Sequence, residues 1–128
     1  MLNIEQEHRP EGYAICRPIG ELDAFTVSQF RQALAEMAAS PRLVIDMSGV
    51  PFVDSAGLGA LIGGIRRSRE LGGDVVVACN RPSLVRTLRT TGFDRIVTMV
   101  ETVEEAAASF AKSHLTHPAE PAGEGGAE

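Results

Sequence analysis

Six consecutive residues, Asp54-Ser55-Ala56-Gly57-Leu58-Gly59, hold the arrangement in this chain best suited to chemistry. They follow a loop, residues 48–54, and lead into Leu58, Leu61, Ile62 and Ile65, which are apolar at helical spacing. A hydroxyl at the entry to a helix faces free backbone N–H groups and the positive end of the macrodipole. Ser55 is therefore expected at the N-cap or beside it. Such a terminus accepts an anion, so a phosphoryl group on Ser55 is compatible with the fold. Gly57 and Gly59 each cost about 1 kcal/mol against Ala in a helix. Something other than helix stability selects them, and the expectation is that a side chain there would crowd an approaching partner or phosphate. On composition and spacing alone two readings stay open. Ser55 is a modified or binding hydroxyl, or it is a helix cap only, with Asp54 an ordinary loop acid.

Other chemistries fit less well. Gly57-x-Gly59-x-x-x-Gly63 after a strand suggests a small nucleotide-binding enzyme that uses the Gly57–Gly59 helix terminus. The preceding loop is too long for the tight turn of a dinucleotide fingerprint, and Ala78-Cys79-Asn80 offers no acid for a ribose. A serine hydrolase elbow needs Gly at position 53, which is Val, and the histidines, His8, His114 and His117, lie near the chain ends. Cys16 and Cys79 form no C-x-x-C motif, so no metal site or disulfide framework is expected. With strands in sequence order, one strand separates them, roughly 9–10 Å at about 4.8 Å per strand, beyond the reach of a disulfide. Neither a catalytic residue nor a cofactor is expected.

The elements that position the loop follow from periodicity. Residues 2–8 and 13–19 read as extended, with Pro10 and Gly12 marking a hairpin turn. Val27, Phe30, Leu34 and Met37 form one helical face, with Thr26 and Gln29 at capping-box spacing and Pro41 as its stop. Residues 43–45 and 75–78 are short apolar strands, the second covered on both faces. Gly72-Gly73 end the second helix, whose Gly63-Gly64 pair suggests close packing against the sheet or a neighbouring helix. Pro82 opens a third helix carrying Leu84, Val85 and Leu88, closed near Gly92. Residues 96–99 read as a last strand. Thr102 and Glu105 form another capping box before a helix carrying Val103, Ala106, Ala107 and Phe110. Strands alternating with helices predict one α/β domain with a mostly parallel sheet in sequence order, an N-terminal antiparallel hairpin and about four helices.

Of 128 residues, 44% are hydrophobic and 23% charged, an ordinary globular mix for one domain. The formal net charge is −5, and leaving out Glu120, Glu124 and Glu128 brings it to −2. A chain this acidic does not suit a nucleic-acid groove. No apolar run reaches the roughly 20 residues needed to span a bilayer, and the first residues carry no signal-peptide pattern. A cytoplasmic protein with no membrane contact is expected. Residues 115–128 are rich in Pro, Gly and Glu and should form a disordered acidic tail after a domain spanning 1–114. Arg66, Arg67 and Arg69, and Arg81, Arg86 and Arg89, read as solvated faces with favourable cations near helix C-termini, or else as a rim contacting a partner's acids; the first reading is preferred.

Asp54-Ser55-Ala56-Gly57-Leu58-Gly59, preceded by Phe52, resembles the phosphorylation loop of bacterial anti-sigma factor antagonists of the STAS domain family. Gly20-Glu21-Leu22-Asp23 before the first helix resembles that family's other signature. Gly72-Gly73 before a strand and Thr91-Gly92-Phe93 after the third helix also fit, and the resemblance covers about residues 1–112.

The resemblance implies a STAS-like fold and a non-enzymatic regulator of transcription in bacterial stress response. It implies a partner, an anti-sigma factor with serine kinase activity of the histidine-kinase-like ATPase type, whose sigma factor is freed by binding. Ser55 is then the phosphoacceptor, and Asp23, Asp54, Ser55, Ala56, Gly57, Leu58 and Gly59 the partner-binding residues. A metal-dependent serine phosphatase reverses the modification. Ala56 stands where several members carry a second hydroxyl, which leaves Ser55 as the acceptor. A monomer or weak dimer is expected. STAS domains also serve as regulatory modules of larger signalling or transport complexes; the absence of membrane helices or a sensor domain in this sequence favours the free antagonist.

Overall fold

The computed structural model describes residues 2–116. Strands β1 (Asn3–Arg9) and β2 (Tyr13–Ile19) form the hairpin, followed by α1 (Val27–Met37), β3 (Arg42–Asp46), α2 (Ser55–Glu70), β4 (Asp74–Ala78), α3 (Pro82–Thr90), β5 (Thr98–Val100) and α4 (Val103–Thr116). The five strands lie in the order β1-β2-β3-β4-β5. β1 pairs antiparallel with β2, Arg9 opposite Tyr13, and every later pairing is parallel. The Gly12 N–H bonds the Arg9 carbonyl at 3.0 Å with φ +101° at Gly12, a left-handed conformation that glycine adopts without steric cost. This is the sheet expected from the β-α alternation.

Strand periodicity sorts the core into two halves. Cys16, Leu43, Ile45, Val75 and Val77 point to one face, where Phe30, Leu34, Leu61, Ile65 and Leu88 of α1, α2 and α3 cover them. Ile15, Val44, Val76 and Ala78 point to the other, under Val103, Ala106 and Phe110 of α4. β4 is thus buried on both faces, as its continuous apolar run predicts. Gly64 lets α2 approach α1, since a Cβ there would sit 2.5 Å from Leu34 Cδ1. Among the described residues no contact explains Gly63, where a Cβ meets nothing within 4 Å.

Three local expectations need correction. The Thr26–Gln29 capping box is not formed. Thr26 Oγ1 instead accepts the Asp23 N–H at 3.1 Å and donates to the Glu21 carbonyl at 2.8 Å. The last strand is Thr98–Val100, not 96–99, because Phe93–Arg95 closes a 3-10 turn in which the Ile96 N–H bonds the Phe93 carbonyl at 2.9 Å. Helix α4 takes in residues 115 and 116, and the rest of the expected tail, 117–128, lies outside the described residues. Half of the Thr102–Glu105 box forms: the Glu105 N–H bonds Thr102 Oγ1 at 3.0 Å, while Glu105 Oε1 accepts the N–H of Glu101, one residue before the cap, at 2.9 Å.

Both cysteines are free and buried, with β3 between β2 and β4 separating their elements. Burial pushes the Cys16 thiol up to about 12 and raises Cys79 as well. A thiol held above its ordinary value ionises more readily in the unfolded chain. The Cys16 contribution to stability is therefore fully present below about pH 9 and lost as pH rises towards 12. In the native protein near pH 8 neither thiol should react with an aromatic disulfide reagent, while both should react once the chain is unfolded. Rapid stoichiometric labelling of the folded protein would contradict this burial.

Candidate functional site

The two signature segments meet through backbone bonds. At the end of β2 the chain leaves at Gly20, whose φ of +124° turns it out of the sheet in a conformation that L side chains resist. It then runs beside the loop that precedes α2. The Gly20 N–H bonds the Gly49 carbonyl at 3.0 Å, the Leu22 N–H bonds the Phe52 carbonyl at 2.9 Å, and the Asp54 N–H bonds the Leu22 carbonyl at 3.0 Å. Leu22 and Val53 form a parallel bridge outside the main sheet. The fully buried Leu22 side chain anchors this pairing in the core.

Asp54 is the N-cap of α2, and Ser55 is the first helical residue beside it. One Asp54 carboxylate oxygen accepts the Gly57 N–H at 2.9 Å and the other accepts the Ala24 N–H at 3.2 Å. Asp54 is thus no ordinary loop acid; it caps one helix and ties it to the turn that opens another. Asp23 plays a matching part, its Oδ1 accepting the N–H groups of Phe25 at 2.9 Å and Thr26 at 3.1 Å.

Capping leaves Ser55 exposed at the helix terminus. Among the described residues neither the Ser55 nor the Ala56 N–H finds an acceptor, since Gly57 and Leu58 take those that Asp54 offers. An anion on the Ser55 hydroxyl therefore meets unpaired donors and the positive helix end. Asp23, Asp54, Ala56 and Leu58 are partly exposed around it, and Gly59 is open to solvent.

Gly57 departs from its expected role. It is buried, and a Cβ there would lie 2.7 Å from the Leu22 carbonyl oxygen. It is glycine so that α2 can dock on the first signature segment, not to leave room for a visitor. A Cβ at Gly59 meets nothing within 4 Å, in keeping with an open approach.

The loop's far end is fixed by residues that periodicity does not single out. Asp46 Oδ1 accepts the Ser48 N–H and its Oδ2 accepts Arg17 Nε, both at 3.0 Å. That bond to Asp46 is the chief reason the Arg17 guanidinium is held above its ordinary pKa. Ser48 Oγ accepts the Asn80 N–H at 3.2 Å, and Arg81 Nε donates to the Ser48 carbonyl at 2.7 Å. Arg81 is thus a loop anchor and not only a solvated cation. Asp46 carried a faint signal, an acid closing an apolar strand; Arg81 stood out only as a cation, and Arg17 and Ser48 carried no signal. Among the described residues no three His, Cys, Asp or Glu side chains gather as a metal site, and no helix is long and apolar enough to cross a membrane.

Comparison with known proteins centres on one family. The family model for the STAS domain matches residues 3–106. The chain is 31% identical over 99 residues to the anti-sigma F factor antagonist of Paenibacillus polymyxa, covering 75% of this chain and 84% of that protein. It is 28% identical over 98 residues to the anti-sigma-B factor antagonist of Listeria monocytogenes, covering 75% and 86%. Its fold is similar to the crystal structure of an anti-sigma factor antagonist from Mycobacterium paratuberculosis, with a TM-score of 0.78, 26% identity, and coverage of 85% of this chain and 93% of that one.

The glycine geometry predicts opposite effects from one substitution. In Gly57→Ala the gain of about 1 kcal/mol in helix propensity is outweighed by a clash with backbone that cannot move aside, and stability should fall by about 1–3 kcal/mol. In Gly59→Ala nothing opposes the gain, and stability should rise by up to about 1 kcal/mol. Urea titration of both variants checks the pair; equal shifts of the same sign would contradict it.

Proposed function

The chain belongs to the STAS domain family, and from that membership and the placement of Ser55 we propose that it is an anti-sigma factor antagonist. It binds an anti-sigma factor with serine kinase activity and thereby releases the sigma factor. The partner phosphorylates Ser55, which ends the association, and a serine phosphatase resets the protein. The chain is on this reading a binding protein that is modified and not a catalyst.

One observation carries the reading. Among the described residues Ser55 is exposed at the N-terminus of α2, with its own and the Ala56 N–H unpaired, the Asp54 carboxylate next to it, and Asp23 in the segment that Asp54 ties to the helix. The names of the relatives support the class of partner. Charge arithmetic supports the switch. A phosphoserine adds about −1.5 to −2 charge at pH 7. In the free protein the helix end receives that charge and water solvates the rest, so the fold survives. Against a partner the same charge is desolvated next to two acids, and like-charge crowding in an interface costs several kcal/mol. Because 1.4 kcal/mol is a tenfold change, such a cost is enough to dissociate the pair.

Titration of wild type, Ser55→Ala and Ser55→Asp against the purified kinase-type anti-sigma factor tests this, with circular dichroism on each. Ser55→Ala should bind as wild type does, remain unmodified in the presence of ATP and keep the sigma factor released. Ser55→Asp should fold normally and bind at least about tenfold more weakly, a carboxylate carrying only part of the phosphate charge. Equal binding by Ser55→Asp, with phosphate on another residue of wild type, would contradict the proposal.

A further inference from the structure

Four large hydrophobic side chains are exposed among the described residues, and three of them, Ile19 at 38%, Phe25 at 94% and Phe52 at 51%, belong to the two segments that meet at Leu22. The fourth, Leu71, follows the far end of α2. The Phe25 ring and about half of Phe52 are left in water and forgo that much of the stabilisation of burial, and the Leu22–Phe52 backbone bond sets the segments that carry them side by side, where exposed apolar groups mark an interaction site. Both rings are carried on tied backbone. The Phe25 N–H is bonded to Asp23 Oδ1 at 2.9 Å, its neighbour Ala24 is bonded to Asp54, and the Phe52 carbonyl accepts the Leu22 N–H at 2.9 Å. A partner would therefore meet preordered groups and lose little conformational freedom in ordering them. Within the two segments the charge is of one sign, while Arg17 and Arg81 are engaged at the loop's far end with Asp46 and the Ser48 carbonyl. Glu21, Asp23 and Asp54 lie in these segments, and neither residues 18–30 nor 43–65 include a Lys or Arg.

We propose that Phe25 and Phe52 are the apolar anchors by which this protein docks on its anti-sigma partner, entering an apolar depression rimmed by Lys and Arg. The inference rests on the antagonist reading above and adds to it the residues that supply affinity, distinct from the hydroxyl that supplies the switch. Large aromatics in the centre of an interface commonly dominate its energy, while an exposed leucine outside it contributes almost nothing.

The test is binding of the purified kinase-type anti-sigma factor to wild type, Phe25→Ala, Phe52→Ala and Leu71→Ala, with thermal unfolding and sedimentation of each variant. Both phenylalanine variants should melt as wild type does and lose at least about thirtyfold in affinity, and Leu71→Ala should bind within twofold of wild type. If wild type binds and both phenylalanine variants bind within threefold of it, the anchors are overturned and the antagonist reading stands. If wild type does not bind, both fail. If the variants instead abolish a wild-type dimer and leave partner affinity intact, the patch is covered by a second copy of the chain and the proposal is overturned.

Discussion

Leu22 bonds the second signature segment on both sides of its peptide: its N–H goes to the Phe52 carbonyl and its carbonyl receives the Asp54 N–H. This short parallel pairing, off the edge of the main sheet, is the constraint from which the rest of the site follows. It sets Asp54 where one carboxylate oxygen caps α2 and the other holds Ala24. It brings α2 so close that position 57 admits no Cβ. It also leaves Ser55 on the outside, at the one point where the helix still has donors to offer. Because the Leu22 side chain is fully buried, the pairing is fixed by the core and not by loop chemistry alone.

On the proposed function, that arrangement separates two demands on Ser55. A switch residue must tolerate a doubly charged group in the free protein and forbid it in the complex. The helix terminus meets the first demand through unpaired N–H groups and the macrodipole. The nearby acids and the desolvation of an interface meet the second. On that reading Asp23 and Asp54 serve twice, as caps that hold the turn and as negative charge in the two segments that meet at the proposed acceptor. The Phe25 and Phe52 side chains carry no charge, and on the same proposal they contribute affinity that does not depend on phosphate.

Much of this was legible in the chain because strand and helix periods are local. The continuous apolar run Val75-Val76-Val77-Ala78 announced a strand covered on both faces, and the β-α alternation announced a parallel sheet in sequence order. The misreading of Gly57 has a long-range cause, since the deciding contact lay far off in sequence, whereas the misreadings at Thr26 and at the last strand were local competitions. Ser55 stands beside the N-cap, as expected; Asp and Ser rank alike as N-caps, so local pattern left open which of the two caps, and Ala24, 30 residues away, occupies the second carboxylate oxygen of Asp54. Gly57 looked like room for a visitor because Leu22 was not visible as its neighbour. At Thr26 the capping-box spacing was present, but the Asp23 carboxylate and the Glu21 carbonyl competed for its partners.

The central claim is that phosphate on Ser55 switches association without disturbing the fold. Preparing the protein phosphorylated by its kinase partner, mapping the site by peptide mass analysis, and comparing partner affinity and circular dichroism of the two forms tests it most directly. The account predicts one phosphoryl group, on Ser55, an unchanged spectrum, and at least about a hundredfold loss of affinity. Phosphate mapped elsewhere, or a Ser55-phosphorylated protein that binds as tightly as the unmodified one, would contradict it.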